Sequence, residues 1–205
     1  MTTVVDHDQR RLNILENAFA LFAESGYGGV TYQKIADRCR ISRTSIYRYF
    51  RTKEEIFDYA VKQATGKINT MIEKVLDRAD WSPKEKIIRI MHITAKMLED
   101  NRQFLSVVLE YLLSQKNSGA DMRRKVRRHT FGMQFLLQRL LRQATEQGEL
   151  AVPNPDIAAA HLYGLLESFI LNLTVTNIYS VKECLHLVDS YIDQLERETG
   201  SRGTG

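Results

Sequence analysis

Between Ser42 and Lys53 the chain places hydrogen-bonding side chains and cations at helical spacing: Arg43, Thr44, Ser45, Tyr47, Arg48, Tyr49 and Lys53. At about 100° per residue, Ile46 and Phe50 fall about 40° apart and define a buried edge. Thr44, Ser45 and Arg48 then stand on the opposite face, Tyr47 and Tyr49 on its two flanks, and Arg43 at the N-terminal tip. Guanidinium groups only donate, hydroxyls donate and accept, and phenols do both from the end of a rigid apolar ring. A face built this way suits base edges in its middle and phosphates at its sides. A merely solvated face would more usually carry Glu and Lys, without two tyrosines around them.

Such side chains need a short helix held in register by neighbours. From Thr31 to Lys53 there are seven Lys or Arg against one acid, Asp37, on two short helical patterns joined by a corner at Arg40 to Arg43. This is the footprint of a helix-turn-helix that grips DNA. Thr31 caps a helix ending near Cys39, and Ser42 caps the next, from about Arg43 to Phe50. A preceding helix, about Gln9 to Glu24, carries Leu12, Leu15, Phe19 and Phe22 and stops at the Ser25–Gly29 run. Residues 1 to about 8 read as a mobile arm, with Arg10 and Arg11 either reaching a phosphate or simply solvated. Thr52 and Glu55 form a capping box, the Glu55 carboxylate returning to the Thr52 amide, and open a fourth helix to about Asp77. Lys53, in its first turn, is placed for a phosphate.

The rest of the composition agrees. A chain of 205 residues, 43% apolar, with three Pro and eleven Gly, can fill a core and favours an all-α architecture over a sheet. The net charge of +4 lies entirely in residues 1–53, which hold nine Lys or Arg against five Asp or Glu; the remainder balances at 20 against 20. An anionic partner docking at one end requires that asymmetry. Cys39 and Cys184 have no metal-ligand spacing, and as lone thiols read as small core residues. No run approaches eighteen uninterrupted apolar residues and the N-terminus lacks an apolar signal core, so a cytoplasmic protein with no membrane partner is expected. There is no Gly-rich phosphate loop, HExxH, CxxC or Gly-x-Ser-x-Gly, so the expectation is no enzyme, no catalytic residue, no cofactor and no metal.

Further helices are expected at about Ser82–Asp100, started by Ser82, Pro83 and Glu85; Arg102–Gln115, largely buried; Asp121–Gln147, ending at Gly148; Asn154–Leu173, started by Asn154 and Pro155; and Val181–Glu198. That makes about nine. The cluster Arg123 to Arg128 packs five cations into six residues, as a solvated helix end, a second nucleic-acid contact or an anion site. The last two helices are apolar over more than one face. Leu162, Leu165, Phe169, Leu185, Val188 and Ile192 are therefore expected at a subunit interface. The division expected is a DNA-binding domain over 1–53, a ligand-binding and dimerisation domain over 54–198, and a disordered tail over 199–205.

Residues 14 to 61, ILENAFALFAESGYGGVTYQKIADRCRISRTSIYRYFRTKEEIFDYAV, resemble the tetracycline-repressor (TetR) family of bacterial transcriptional regulators. Gly26, Thr31, Ile35-Ala36, Ile41-Ser42, Ile46-Tyr47-x-Tyr49-Phe50 and Lys53-Glu54 fall where that family has its characteristic residues. The resemblance implies a homodimer on a palindromic double-stranded operator, in the bacterial cytoplasm at the nucleoid, released by a small-molecule ligand. A regulator of the same fold acting without a small inducer, as an activator or through a protein partner, is the alternative. Carried over by position, Thr31, Tyr47, Tyr49 and Lys53 would contact phosphates, and Gln33, Arg43, Thr44, Ser45 and Arg48 would face bases or lie near them. Arg40 and Arg43 stand where glycine is frequent; a positive φ at Arg40 would cost about 1 kcal/mol, and Arg43 could reach a guanine bidentately. For a ligand cavity, Met91, His92, Tyr111, Phe131, Phe135, Tyr163 and Glu167 combine bulk or polarity with inward-looking positions and would suit an apolar or aromatic effector.

Overall fold

The computed structural model describes the backbone of residues 2–117 and 122–201 and the side chains of residues 7–113 and 132–196. Among the described residues there are nine α-helices and no strand: α1 Thr2–Gly29, α2 Tyr32–Cys39, α3 Arg43–Tyr47, α4 Lys53–Leu76, α5 Pro83–Asp100, α6 Arg102–Asn117, α7 Met122–Glu146, α8 Pro155–Leu171 and α9 Val181–Ser201. A π-helical turn, Asn172–Thr176, extends α8.

Local chemistry starts most of them. The Thr31, Ser42, Ser82 and Asn154 side chains each accept from a backbone amide in the first turn of the helix that follows. Ser82 and Glu85 close a complete capping box. At Thr52 the box is built differently: Thr52 Oγ1 accepts from the Glu55 amide, but the Glu55 carboxylate returns to the amide of Arg51, at 2.8 Å. The helical path of α1 begins at Thr2, so the expected arm is helical, and breaks at Gly26 (φ 70°, ψ 169°), a conformation only glycine adopts readily. Gly148 (φ 72°) ends α7 as expected.

Two compact units are present, Met1–Lys67 with Gln103–Ser118, and Ile68–Arg102 with Gly119–Gly205. They differ from a division at residue 53 because α6 sends Phe104, Val107 and Tyr111 into the core of the first unit, beside Phe22, Phe50 and Phe57. Six rings, Phe19, Phe22, Tyr27, Phe57, Phe104 and Tyr111, meet there in stacked, tilted and edge-to-face contacts. Nor is α6 buried throughout, since Leu113 is exposed. The core of the second unit is built by α5, α7, α8 and α9 with the end of α4; Ile87, Ile90, Met91, Leu137, Leu141, Leu162 and Ile192 are fully enclosed. Burying each such side chain contributes about 1.5–3 kcal/mol. By length and composition the helical run Pro155–Thr176 could cross a membrane, but Ala158, Ala159, Leu162, Leu166 and Phe169 face the core.

Leu162, Phe169, Val188 and Ile192 are core residues of the single chain, with Leu165 and Leu185 half-buried. The apolar groups that α8, the π turn, the connection 177–180 and α9 expose are Ile157, Leu171, Val175, Ile178, Tyr179 and Leu187. α8 is apolar around most of its circumference, so its periodicity alone does not say which face turns inward. The backbone of Arg123 to Arg128 lies in α7, while their side chains fall outside the described residues; α9 continues to Ser201, past the expected start of the tail.

Candidate nucleic-acid interface

The helix-turn-helix is held by its corner. Arg40 adopts the left-handed conformation (φ 55°, ψ 44°), its amide donates to the Asp37 carbonyl at 3.2 Å, and the Ile41 amide to the Ala36 carbonyl at 3.0 Å. This pair of bonds satisfies the last carbonyls of α2 and turns the chain into α3. Ser42 Oγ then accepts from the Ser45 amide at 3.1 Å. Regular α3 ends at Tyr47, and the Tyr49 and Phe50 amides both donate to the Ile46 carbonyl, completing a turn through Phe50. Ile46 and Phe50 are fully buried, as the helical angles require.

On the outward side Thr44 and Arg48 are exposed and Tyr47 is 44% exposed, so these three form one accessible face. Other expected contact residues carry structural bonds as well. The Ser45 hydroxyl shares a 2.8 Å hydrogen bond with Ser42, Gln33 donates to Asp37 at 2.7 Å, and Thr31 accepts from the Lys34 amide at 3.3 Å. The half-buried Tyr49 ring lies 4.6 Å from that of His7. Lys53 Nζ donates to the Tyr27 carbonyl at 2.9 Å and sits 4.2 Å over its ring, fastening the start of α4 to the end of α1. On the same tyrosine, the hydroxyl donates to Glu54 at 2.8 Å. The Glu54 carboxyl is held below its ordinary range by its own backbone amide and by that hydroxyl, while burial and the neighbouring carboxylate push the Tyr27 phenol up.

Of the cations in this region, Arg38 pairs with Glu24 through two bonds and Lys34 donates to the Gly29 carbonyl. Arg11 lies over the rings of Tyr59 and Phe50, at 4.2 and 5.2 Å, a packing role in place of a phosphate contact. Arg40, Arg48 and Arg51 stand exposed around the same end of the molecule. Arg43 Nη2 donates to Tyr47 Oη at 3.1 Å. Tyr32, which sequence reasoning passed over, stacks on Tyr47 with centroids 4.5 Å apart and planes 18° apart. Its signal was an aromatic ring directly after the cap of α2, on a helix otherwise polar outside Ile35, Ala36 and Cys39.

Of the seven residues expected to line one cavity, six have described side chains. Met91 belongs to the core of the second unit and Tyr111 to that of the first. Phe135 is 68% exposed and Glu167 is exposed, while Tyr163 is half-buried. His92 Nε2 and Asp189 Oδ1 share a 2.7 Å hydrogen bond between α5 and α9. The Phe131 side chain lies outside the described residues. Helical spacing marked these positions as inward without indicating which core each α-helix serves. Among the described residues no group of three or more His, Cys, Asp or Glu could hold a metal.

The profile of "Bacterial regulatory proteins, tetR family" matches residues 14–60, and that of "AefR-like transcriptional repressor, C-terminal domain" matches residues 102–194. The HTH-type transcriptional regulator PksA of Bacillus subtilis (strain 168) is 25% identical over 98% of this chain and 99% of its own. A transcriptional regulator of the TetR/AcrR family from Thermobifida fusca has the same fold, with TM-score 0.68 and 25% identity over 90% of this chain and 96% of that one. So does the FadR regulator of Bacillus subtilis, solved in complex with stearoyl-CoA, with TM-score 0.67 and 22% identity over 90% and 97%. The first profile spans the capped, corner-joined α2 and α3 and the second runs from α6 into α9; the chain belongs to the tetR family of bacterial regulatory proteins and is a DNA-binding transcriptional regulator.

Proposed function

We propose that the protein is a dimeric, sequence-specific repressor that binds a palindromic operator through α3 and is released by a small apolar ligand. The observation carrying the reading is the exposed face of Thr44, Tyr47 and Arg48 on a helix fixed by a cap at one end and buried Ile46 and Phe50 beneath. Thr44 and Arg48 read bases; Thr31, Tyr47, Tyr49 and the amide-rich start of α4 at Lys53 take phosphates, with Gln33 and Ser45 close by. Two copies are required because successive major grooves lie about 34 Å apart and a palindrome mirrors a two-fold axis. The second copy docks on the apolar groups exposed by α8, the π turn and α9.

Ligand release rests on likeness, since FadR of the same fold was solved with stearoyl-CoA; a long-chain acyl-CoA is thus the first effector to try. The ligand would act by favouring a conformation in which the two recognition helices no longer match the groove spacing. The alternative, regulation without a small inducer, is supported by the full enclosure of Ile87, Ile90, Met91 and Leu141 among their neighbours.

Footprinting on the DNA upstream of the protein's own gene tests the DNA reading, and Arg48→Ala should cost about 1–3 kcal/mol on the protected site while relaxing base preference at one position per half-site. Unchanged preference in that variant would remove Arg48 from the reading face. Addition of stearoyl-CoA should then lower operator affinity; no change at saturation would favour the inducer-free regulator.

A further inference from the structure

The geometry points to Arg43 and Tyr47 acting as one phosphate clamp on the flank of α3, set in place by Tyr32 from α2, so that Arg43 supplies affinity and not base reading. This rests on the DNA reading above. The helical angles come first: Arg43 and Tyr47 are four residues apart, about 40° from each other on one flank, whereas Arg43 and Arg48 differ by about 140°. The hydrogen bond follows that placement. A guanidinium has donors and no acceptor, so in the 3.1 Å contact between Arg43 Nη2 and Tyr47 Oη the phenol oxygen must accept. The phenol proton is then turned to another partner, on a side chain 44% exposed. Accepting from a cation strengthens a hydroxyl as a donor. The chain of bonds therefore runs from Arg43 to Tyr47 to an outside acceptor, and an anionic phosphate oxygen, which only accepts, fits both the direction and the charge.

Tyr32 removes the freedom that would blur this aim. Its ring is stacked on Tyr47, and its hydroxyl donates to the Phe50 carbonyl at 3.4 Å, at the far end of the turn. Burial and the nearby Tyr47 phenol push the Tyr32 phenol up to about 12, so it remains a donor throughout the neutral range. Tyr32 is thus a positioning residue, touching no phosphate itself.

The test uses full-length protein, a random-sequence duplex pool and the sequence that wild type enriches from that pool, titrated across salt. Arg43→Ala should weaken both probes by a similar factor, about tenfold, reduce the salt slope by about 1, and enrich the same sequence as wild type. Tyr47→Phe should weaken both probes likewise, and the double variant should be no weaker than the worse single one, because the two side chains act in series. Tyr32→Leu should weaken both probes, and Tyr32→Phe, which keeps the stacked ring and gives up only the 3.4 Å bond to Phe50, should lose less than Tyr32→Leu does. A changed enriched sequence for Arg43→Ala, or additive losses in the double variant, would overturn the clamp, as would a Tyr32→Phe loss equal to that of Tyr32→Leu. Wild type that binds neither probe would instead overturn the DNA reading, and the clamp with it.

Discussion

Arg40 holds a backbone conformation that costs an L-residue about 1–2 kcal/mol, and it does so because the corner between α2 and α3 needs it. The family resemblance made that cost foreseeable, since glycine is frequent at this position; that the bond pair from Arg40 and Ile41 would be kept despite the side chain was not legible. Arg40→Gly should therefore raise stability by about 1 kcal/mol in urea denaturation, and an unchanged or lowered midpoint would contradict the cost. Glu54 gives a pH prediction with a definite sign. Its folded carboxyl titrates below the ordinary value of 4.5, so its contribution is complete above 4.5 and is lost as pH falls through the lowered value. The stability difference between wild type and Glu54→Gln should be constant near neutrality and shrink below about pH 4.5. A difference independent of pH would mean the carboxylate is not what Tyr27 and the start of α4 depend on.

At the scale of elements, helix starts were legible because caps are local: Thr31, Ser42, Ser82 and Asn154 do what their side-chain chemistry predicts. The π turn after α8 was not, since it is organised by one side chain reaching forward. Asn172, 5% exposed, accepts from the amides of Ile178 and Tyr179 at 2.9 Å and donates to the Tyr179 carbonyl at 2.7 Å. An asparagine among leucines carries no sign of that in its spacing. Asn172→Ala leaves those groups unsatisfied and should cost about 2–3 kcal/mol, measured by chemical denaturation of the whole chain; a cost within about 0.5 kcal/mol would mean water replaces the side chain. The same turn presents Val175 and Ile178 to solvent, so its order matters for whatever docks there.

For the whole molecule, the proposed contact between copies uses the exposed apolar groups of α8 and α9, because those that periodicity suggested are enclosed or half-buried within the single chain. The distinction has a measurable form. Leu187→Lys should leave helical content and melting of the chain's own core little changed, because Leu187 is 56% exposed, yet, under the proposed dimeric reading, shift sedimentation toward monomer and weaken operator binding. A variant that stays dimeric would place the contact elsewhere. The helix count and the fold class followed from local patterns, whereas the assignment of α6 to the first unit depended on rings far apart in the chain, Tyr27 and Tyr111 among them.

That assignment bears on how specificity can be transplanted. Residues 1–67 look like a cassette that one cut and one splice would move to another regulator, carrying their operator preference along. The core beneath them, however, is finished by Phe104, Val107 and Tyr111, which are encoded after the second unit has begun. A chimera joined only after residue 67 inherits the reading helix on an unfinished scaffold. Exchange that preserves both fold and preference needs two crossovers, the second bringing α6.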